Sequence, residues 1–284
     1  MIIWLASYPK SGNTWIRSFL YTLLFSKENK VNLDKINLID QYPSKIYFKG
    51  HVKNFNDFIE VSQKWNITQK IINKDKRIRF FKTHHFLCSI NGNKFTELHN
   101  TLGVIHIVRD PRNIITSIKN HYSMESYSAA LDFMKDQNHC IDVENKTHDN
   151  IEKKEVLNTL ISSWNSHYKS WKAFPKNNLL IKYEDLIKNP SSTFKEIVNF
   201  LENLLNIKIE KSKITNAINE NSFEKLKELE KKNGFREAVT DKKNNKKTFF
   251  FLGPNNNWEN LLPIDIRINL ENAFQSEMKE LKYL

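Results

Sequence analysis

Residues 2–24, IIWLASYPKSGNTWIRSFLYTLL, combine three patterns that together decide the fold. Residues 2–7 are a short apolar run, which is typical of a strand buried on both faces. Residues 16–24 carry apolar side chains at helical spacing and predict a helix. The turn between them contains Pro9, Lys10 and Gly12. A strand, a tight turn and a helix in this order predict an α/β domain.

The turn itself has the features of an anion-binding site. The exposed N–H groups of a first helical turn and the positive end of the helix dipole point at whatever lies in the turn. Gly12 allows the backbone to come close to a ligand, Lys10 adds a charge, and Ser11 and Thr14 add hydroxyl donors. The order differs from the nucleotide P-loop, in which the Lys follows the second Gly.

Composition limits the remaining possibilities. A chain of 284 residues can form one large α/β domain, and we expect a single domain over residues 1–284. Cys88 and Cys140 are far apart, which disfavours a disulfide framework. We find no signal peptide and no apolar run near the ~20 residues of a membrane helix, so we expect a cytoplasmic protein. The net charge of +12 comes from Lys residues spread along the chain, which favours a solvated basic surface over a nucleic-acid site.

A second predicted strand, residues 78–83, leads into His84 and His85. The carboxyl ends of the strands are where an α/β sheet places its ligand crevice. A histidine there, beside Lys82 and near an anion loop, is a candidate catalytic residue. Successive side chains of an extended segment point to opposite faces, and we favour His84 over His85.

A third predicted strand, residues 103–108, is followed by Arg109 and a helix through about residue 122. Pro111 suits the first helical position, and Asp110 suits the N-cap. Arg109 at this junction predicts a second anion site, since its planar guanidinium can donate two hydrogen bonds to a phosphate. We expect Arg112 to be exposed.

The other segments carry less chemistry. We predict helices near residues 55–65, over 151–174 and over 265–281, a fourth strand with its exit at 179–186 and a mobile loop at 231–247. Residues 123–150 include His139, Cys140, Asp142 and His148, but their spacing fits no metal site. Several aromatic residues could line an acceptor pocket, although a core role is favoured: Tyr42, Tyr47, Phe48, Phe55 and Phe58.

Residues 8–15, YPKSGNTW, closely resemble YPKSGTTW, the phosphosulfate loop of cytosolic-type sulfotransferases. These enzymes use 3′-phosphoadenosine 5′-phosphosulfate (PAPS). Seven of the eight positions match, with Asn13 in place of a Thr. The resemblance continues along most of the chain, in the KTH sequence at 82–84, an Arg and a Ser eight residues apart at 109 and 117, YEDL at 183–186 and SF at 222–223.

This resemblance implies a single P-loop-like α/β domain, with a central parallel sheet of four to five strands flanked by helices on both faces. It implies transfer of a sulfuryl group from PAPS to a hydroxyl or amine of a small molecule, lipid, sugar or natural product, with release of adenosine 3′,5′-bisphosphate (PAP). His84 would be the catalytic base, and Lys10 and Lys82 would neutralise charge at the reacting group. No metal and no nucleic acid is needed. The implied donor-binding residues are Lys10, Ser11, Gly12, Asn13, Thr14, Trp15, Arg109, Ser117, Tyr183, Phe223, Leu252 and Gly253.

The sequence departs from the family near its C-terminal end. The family has the sequence R-K-G-x-x-G-D-W. This chain keeps the spacing from Gly to Trp but has Phe251-Leu252-Gly253 in place of R-K-G. We hypothesise that Lys246, Lys247 or Arg236 supplies the missing positive charge to the 3′-phosphate of the donor. The family's dimer motif is not recognisable, so the oligomeric state stays open. Two alternative functions are a P-loop kinase of small molecules and a nucleotide- or RNA-binding protein.

Overall fold

The computed structural model describes residues 1–141, 157–240 and 245–284. Its strands are β1 Ile2–Ser7, β2 Asp40–Gln41, β3 Arg79–Thr83, β4 Ser89–Ile90, β5 Asn93–Lys94, β6 Thr101–Val108, β7 Cys140–Ile141, β8 Thr159–Leu160 and β9 Asn178–Lys182. Its helices are α1 Asn13–Leu20, α2 Lys45–Phe48, α3 Phe58–Ser62, α4 Trp65–Ile72, α5 Pro111–His121, α6 Tyr127–Lys135, α7 Trp164–Lys172, α8 Tyr183–Lys188, α9 Pro190–Leu205, α10 Lys211–Glu220, α11 Phe223–Asn233, α12 Trp258–Leu261, α13 Ile264–Ala273 and α14 Gln275–Glu280.

A five-stranded parallel sheet in the order β2-β3-β1-β6-β9 forms the centre of the fold. Strand β1 lies in the middle, with Ala6 opposite Thr83 of β3 on one side and His106 of β6 on the other. Because all five strands are parallel, the residues that follow β1, β3, β6 and β9 emerge at one edge of the sheet. The predicted α/β architecture is therefore confirmed.

The sheet is covered on both faces, and β1 explains why. Ile3 and Leu5 pack into a core with helices α1 and α9, whereas Ile2, Trp4 and Ala6 face a second core that includes Trp171. Every residue of β1 is fully buried, as a strand between two layers of helices requires. Among the described helices, none is both long enough and apolar enough to cross a membrane.

Three predicted helices differ from the observed elements. The segment near 55–65 contains two short helices, α3 and α4, with a break at residues 63–64. Of the predicted helix 151–174, residues 151–156 lie outside the described residues, and only α7 is helical in the remainder. Residues 159–160 instead form β8, which pairs with β7. The closing helix is divided at Phe274 into α13 and α14.

Candidate active site

A cleft of about 970 Å³ opens at the carboxyl edge of the sheet. It is lined by residues from the turns that follow β1, β3 and β6, and by residues within 236–239 and 248–253. The structure thus brings together side chains that are far apart in sequence. With the exception of Ser11, all the catalytic and donor-binding residues implied by the family resemblance contribute to the lining: Lys10, Gly12, Asn13, Thr14, Trp15, Lys82, His84, Arg109, Ser117, Tyr183, Phe223, Leu252 and Gly253.

The turn between β1 and α1 has the conformation of an anion cradle. Gly12 has φ +101°, in the left-handed region, and a Cβ atom there would lie 2.5 Å from Cδ2 of Tyr183. Glycine is therefore required at this position both for the backbone and for the close approach of the ring. The Ser11 hydroxyl is buried and has no hydrogen-bond partner among the described residues, so it can donate to a ligand in the turn.

Arg109 joins this turn to helix α5. Its guanidinium NH1 donates to the Lys10 carbonyl at 2.9 Å and to Ser117 Oγ at 3.4 Å. The guanidinium also lies 4.1 Å from the centre of the Tyr183 ring. The Nε of Arg109 is buried and has no partner among the described residues. Arg109 and Ser117, the residues of the predicted second anion site, therefore lie together with Tyr183 in a compact group.

The junction of β6 and α5 is built as predicted around Asp110, but one expectation there is wrong. Asp110 caps the helix by accepting from the backbone N–H of Arg112. Arg112 itself is buried, not exposed, because its guanidinium pairs with Asp110 at 2.7 Å and with Glu271 at 2.8 Å. The glutamate belongs to α13, a partner that local sequence around residue 112 could not indicate. Glu184 accepts from the Asp110 N–H at 2.9 Å and so braces the same junction.

His84 and His85 have different surroundings. His84 lines the cleft, and its Nδ1 lies 2.7 Å from the carbonyl oxygen of Ser7. A carbonyl can only accept, so Nδ1 carries the hydrogen and Nε2 keeps its lone pair. His85 is buried, with its ring stacked on Phe95 at 4.3 Å. The alternation of side chains along the extended segment thus places only His84 in the cleft.

A second contact supports the position of His84. Ser7 Oγ lies 3.2 Å from His84 Nδ1 and accepts a hydrogen bond from Asn13 Nδ2 at 3.1 Å. Asn13 Nδ2 also donates to the Leu5 carbonyl at 2.9 Å. Asn13 is the one residue of the loop that departs from the sulfotransferase motif. It connects the start of α1 to β1, whose Ser7 contacts His84. Sequence reasoning did not identify Ser7.

Burial and neighbouring positive charges change the titration of the cleft residues. Burial, together with the nearby charge of Arg109, lowers the pKa of Lys10 to about 7. Burial lowers the pKa of Lys82 from its ordinary value. Burial and the charge of Lys82 lower the pKa of His84 to about 3. The site therefore disfavours additional positive charge and would be stabilised by an anion.

Sequence reasoning also missed an ion pair within the cleft. Glu237 accepts from Thr14 Oγ1 at 3.1 Å and from Arg17 NH1 at 2.5 Å, and it lies 3.8 Å from Lys82 Nζ. Burial alone would raise the pKa of Glu237, but Arg17 and Lys82 hold that pKa far below its ordinary range. Because Arg17 and Glu237 are 220 positions apart, no local pattern could have indicated their contact.

The aromatic residues among the implied donor-binding residues lie close to one another. The Trp15 and Phe223 rings are 6.4 Å apart and inclined by 66°. Parallel faces that could sandwich a base are thus not preformed. Phe223 lies directly over Gly253, where a Cβ atom would be 2.1 Å from the ring. The segment at 251–253 therefore contacts the same aromatic group, although it lacks the expected cations.

The three candidates for the missing cations have different positions. Arg236 lines the cleft. Lys247 Nζ donates to the Asn120 carbonyl at 2.7 Å and to Ser123 Oγ at 3.1 Å, about one helical turn from Ser117. Lys246 is exposed and is not among the described cleft residues. Of the expected mobile loop 231–247, residues 231–233 continue α11, and residues 241–244 lie outside the described residues.

Asn256 is a further contact that the sequence did not suggest. Its Nδ2 donates to Ser117 Oγ at 3.1 Å and to the Asn113 carbonyl at 2.8 Å. Since Ser117 is bonded to Arg109 as well, the chain just after Gly253 is attached to the second anion site.

The cleft lining beyond the donor-binding residues, where an acceptor would bind, combines apolar and polar side chains. None of the five aromatic residues considered for it lines the described part of the cleft, and all of them instead lie in or against the core around Trp4 and Trp65. Of the 123–150 segment, Asp142 and His148 lie outside the described residues. The apolar and aromatic residues of this part of the lining are Ile46, Tyr122, Met124, Phe133, Cys140 and Ile141. The polar ones are Asn37, Asp40, Gln41, Ser44, Lys49, Asn120, His121, His139 and Thr159.

Comparison with known proteins gives matches over nearly the whole chain. A family model described as a sulfotransferase domain matches residues 2–282. An amine sulfotransferase from Oryctolagus cuniculus is 22% identical over 288 residues, covering 98% of this chain and 81% of the relative. Sulfotransferase 1B1 from Canis lupus familiaris is 22% identical over 276 residues, covering 96% of this chain and 82% of the relative.

Solved structures show the same fold at low sequence identity. A mouse sulfotransferase complexed with PAP aligns with a TM-score of 0.57 and 20% identity, over 97% of this chain and 83% of that chain. Retinol dehydratase in complex with androsterone and inactive cofactor PAP aligns with a TM-score of 0.57 and 17% identity, over 98% and 80%. The predicted P-loop-like α/β fold is confirmed by these likenesses.

Proposed function

The chain belongs to the sulfotransferase domain family, and we propose that His84 is the general base with which it sulfates a hydroxyl or amine of a small, largely apolar acceptor. The enzyme is a PAPS-dependent sulfotransferase, and PAPS supplies the sulfuryl group. The observation that carries the proposal is the 2.7 Å contact between His84 Nδ1 and the Ser7 carbonyl. It leaves Nε2 unprotonated on the side of the cleft, as a proton acceptor requires.

The residues present fit the donor. The turn at 8–15 offers the buried Ser11 hydroxyl and the first N–H groups of α1 to the 5′ end of the nucleotide. Arg109 and Ser117 lie at the other anion site and suit the 3′-phosphate. Tyr183, Trp15 and Phe223 supply aromatic surface for the adenine, and such stacking is worth ~1–3 kcal/mol per base.

Lys10 and Lys82 would stabilise the negative charge that develops on the donor. As an acceptor oxygen or nitrogen bonds to sulfur, negative charge grows on the departing 5′-phosphate. Two ammonium groups fixed in a partly dry cleft stabilise that charge without reorganisation, which is usually the largest contribution to catalysis. The lowered pKa of Lys10, about 7 in the free protein, would rise when an anion binds beside it.

The acceptor end of the cleft supports a small substrate with apolar surface. Ile46, Met124, Phe133 and Ile141 line it, and polar groups such as Ser44 remain to orient the nucleophile. Because the first of the curated relatives is an amine sulfotransferase, an amine acceptor is included with alcohols and phenols. A cytoplasmic location belongs to this proposal.

For the 3′-phosphate we favour Arg236 and Lys247 over Lys246 as replacements for the missing cations. Arg236 lines the cleft, and Lys247 contacts Asn120, one helical turn from Ser117, whereas Lys246 is exposed. Arg236→Ala and Lys247→Ala should weaken PAP binding measured by calorimetry, and Lys246→Ala serves as the control. Unchanged PAP affinity in both variants would show that the 3′-phosphate is held without them.

The function itself is tested by incubating the protein with PAPS and a metabolite extract, then searching by mass spectrometry for products heavier by one SO₃. We expect such products with the wild type and none with His84→Ala. A wild-type protein that neither binds PAP nor forms any sulfated product would overturn the proposal.

A further inference from the structure

The ion pair between Arg17 and Glu237 has features that sulfuryl transfer alone does not explain. Glu237 comes from the segment after α11, and its carboxylate reaches into the turn that should hold the donor. Its partners there are the Thr14 hydroxyl and the Arg17 guanidinium, with Lys82 at 3.8 Å. Two of these three groups, Thr14 and Lys82, belong to the residues that we expect to contact the anionic donor.

Electrostatic repulsion makes it unfavourable for the Glu237 carboxylate and a donor phosphate to occupy this position together. Lys10, Arg17 and Lys82 converge on this part of the cleft, and Glu237 is the carboxylate that contacts two of them. A bound nucleotide would bring its own phosphate charge to the same donors. Like charges at contact distance destabilise one another, so the carboxylate and the donor compete for this position.

The segment that carries Glu237 is attached on both sides of the residue. Phe235 packs against Phe249 and Phe250, with ring centres 4.9 and 5.8 Å apart. The Lys247 N–H donates to the Val239 carbonyl at 2.7 Å. The glutamate therefore sits on a short stretch, residues 236–238, between two fixed points, so its withdrawal from the turn would involve only this stretch.

We propose that Arg17 is a further donor-binding residue and that Glu237 is an internal anion which occupies the donor's position at Thr14 and Arg17 until PAPS displaces it. This inference rests on the proposed function. Arg17 lines the cleft and is only 2% exposed while Glu237 is in place. Its Nη2 donates to Asn37 Oδ1 and to the Ile39 carbonyl, so withdrawal of the carboxylate would free Nη1 for the donor.

The arrangement has a consequence for selectivity. A ligand must bring enough negative charge to replace the carboxylate, so adenosine or a nucleoside with one phosphate competes poorly. The ion pair also shields Arg17 and Lys82 from smaller anions when no donor is bound.

The test is calorimetric titration of PAP into the wild type and into Glu237→Gln. Removal of the competing charge should tighten PAP binding by about tenfold. Glu228→Gln is the matched control, because it removes the same charge from an exposed position on α11 and should leave the affinity unchanged. Arg17→Ala should weaken PAP binding, and the gain from Glu237→Gln should be smaller in the Arg17→Ala background.

Hydrogen–deuterium exchange gives an independent readout. Addition of PAP to the wild type should change the exchange of residues 236–238, while the same peptide of Glu237→Gln should change less. Unchanged or weaker PAP binding by Glu237→Gln would overturn the inference, as would a loss of turnover alone, which would place the carboxylate on the acceptor. Absence of PAP binding by the wild type would instead contradict the proposed function.

Discussion

The imidazole of His84 is held by a main-chain acceptor and not by a carboxylate. The Ser7 carbonyl fixes the Nδ1–H tautomer but adds no negative charge that would raise the basicity of the ring. In the free protein, burial and Lys82 lower the pKa of His84 to about 3, so the ring is neutral throughout the physiological range. A neutral base beside two lysines can accept a proton more readily once an anionic donor offsets their charge.

The first prediction at this scale concerns His84→Ala. Removal of a positioned general base should lower kcat by ~10²–10⁴-fold. PAP affinity should be nearly unchanged, since the anion sites lie on other residues. Steady-state kinetics and calorimetry measure the two effects separately, with exposed His99→Ala as the control. An equal loss of PAP binding and turnover would argue against a role as base.

A second prediction follows from the titration of the same ring. In the free enzyme the His84 NMR signal, identified by its absence in His84→Ala, should not titrate between pH 8 and 5, because its pKa is about 3. Saturating PAP should raise that pKa, since phosphate charge stabilises the imidazolium. A midpoint near the ordinary value of ~6.5 in the free enzyme would contradict this account of the site.

At the scale of elements, the junction of β1 and α1 determines the donor site. Gly12→Ala should weaken PAP binding by more than about tenfold. The new methyl group would meet the Tyr183 ring at 2.5 Å, and the backbone would be strained at φ +101°. Calorimetry with PAP measures the loss.

Gly92→Ala separates strain from collision. Gly92 has φ +82°, but its Cβ position has no heavy atom within 4 Å. This variant should therefore lose stability from backbone strain, ~1–3 kcal/mol, and keep its PAP affinity. If Gly12→Ala binds PAP as well as Gly92→Ala does, the close approach of Tyr183 is not needed for the site.

The same comparison shows what local sequence can indicate. The turn at 8–15 and the eight-residue spacing of Arg109 and Ser117 are short-range patterns, and the structure brings all of these residues together. The exposure expected for Arg112 is wrong because its partner Glu271, which no local pattern indicates, lies on a helix 159 positions away. Glu237 was missed for the same reason. Contacts between distant elements depend on how helices pack on the sheet, which residue spacing does not encode.

At the scale of the whole molecule, buried histidines link stability to pH. His85 is fully buried among aromatic rings, and burial lowers its pKa to about 4. His106 of β6 is also buried, and burial lowers its pKa to about 3. Both are neutral in the folded protein at pH 6, whereas in the unfolded chain they bind protons below an ordinary pKa of ~6.5. Unfolding therefore takes up protons on the acid side of that value.

The final prediction is that the free energy of unfolding falls as the pH decreases from 8 to 5. Between pH 8 and 7 the fall comes from Lys10, which is protonated in the unfolded chain but has a pKa of about 7 in the folded protein. Between pH 6.5 and 5 it comes from the buried histidines. Each histidine contributes a slope of up to about 1.4 kcal/mol per pH unit, because the depressed folded pKa is stabilising only above the unfolded pKa. Urea denaturation at several pH values measures this slope. His85→Phe, which keeps an aromatic ring against Phe95, removes one titrating group. It should reduce the slope by up to about 1.4 kcal/mol per pH unit. A wild-type slope of zero over this interval would mean that these two rings are already protonated in the folded protein.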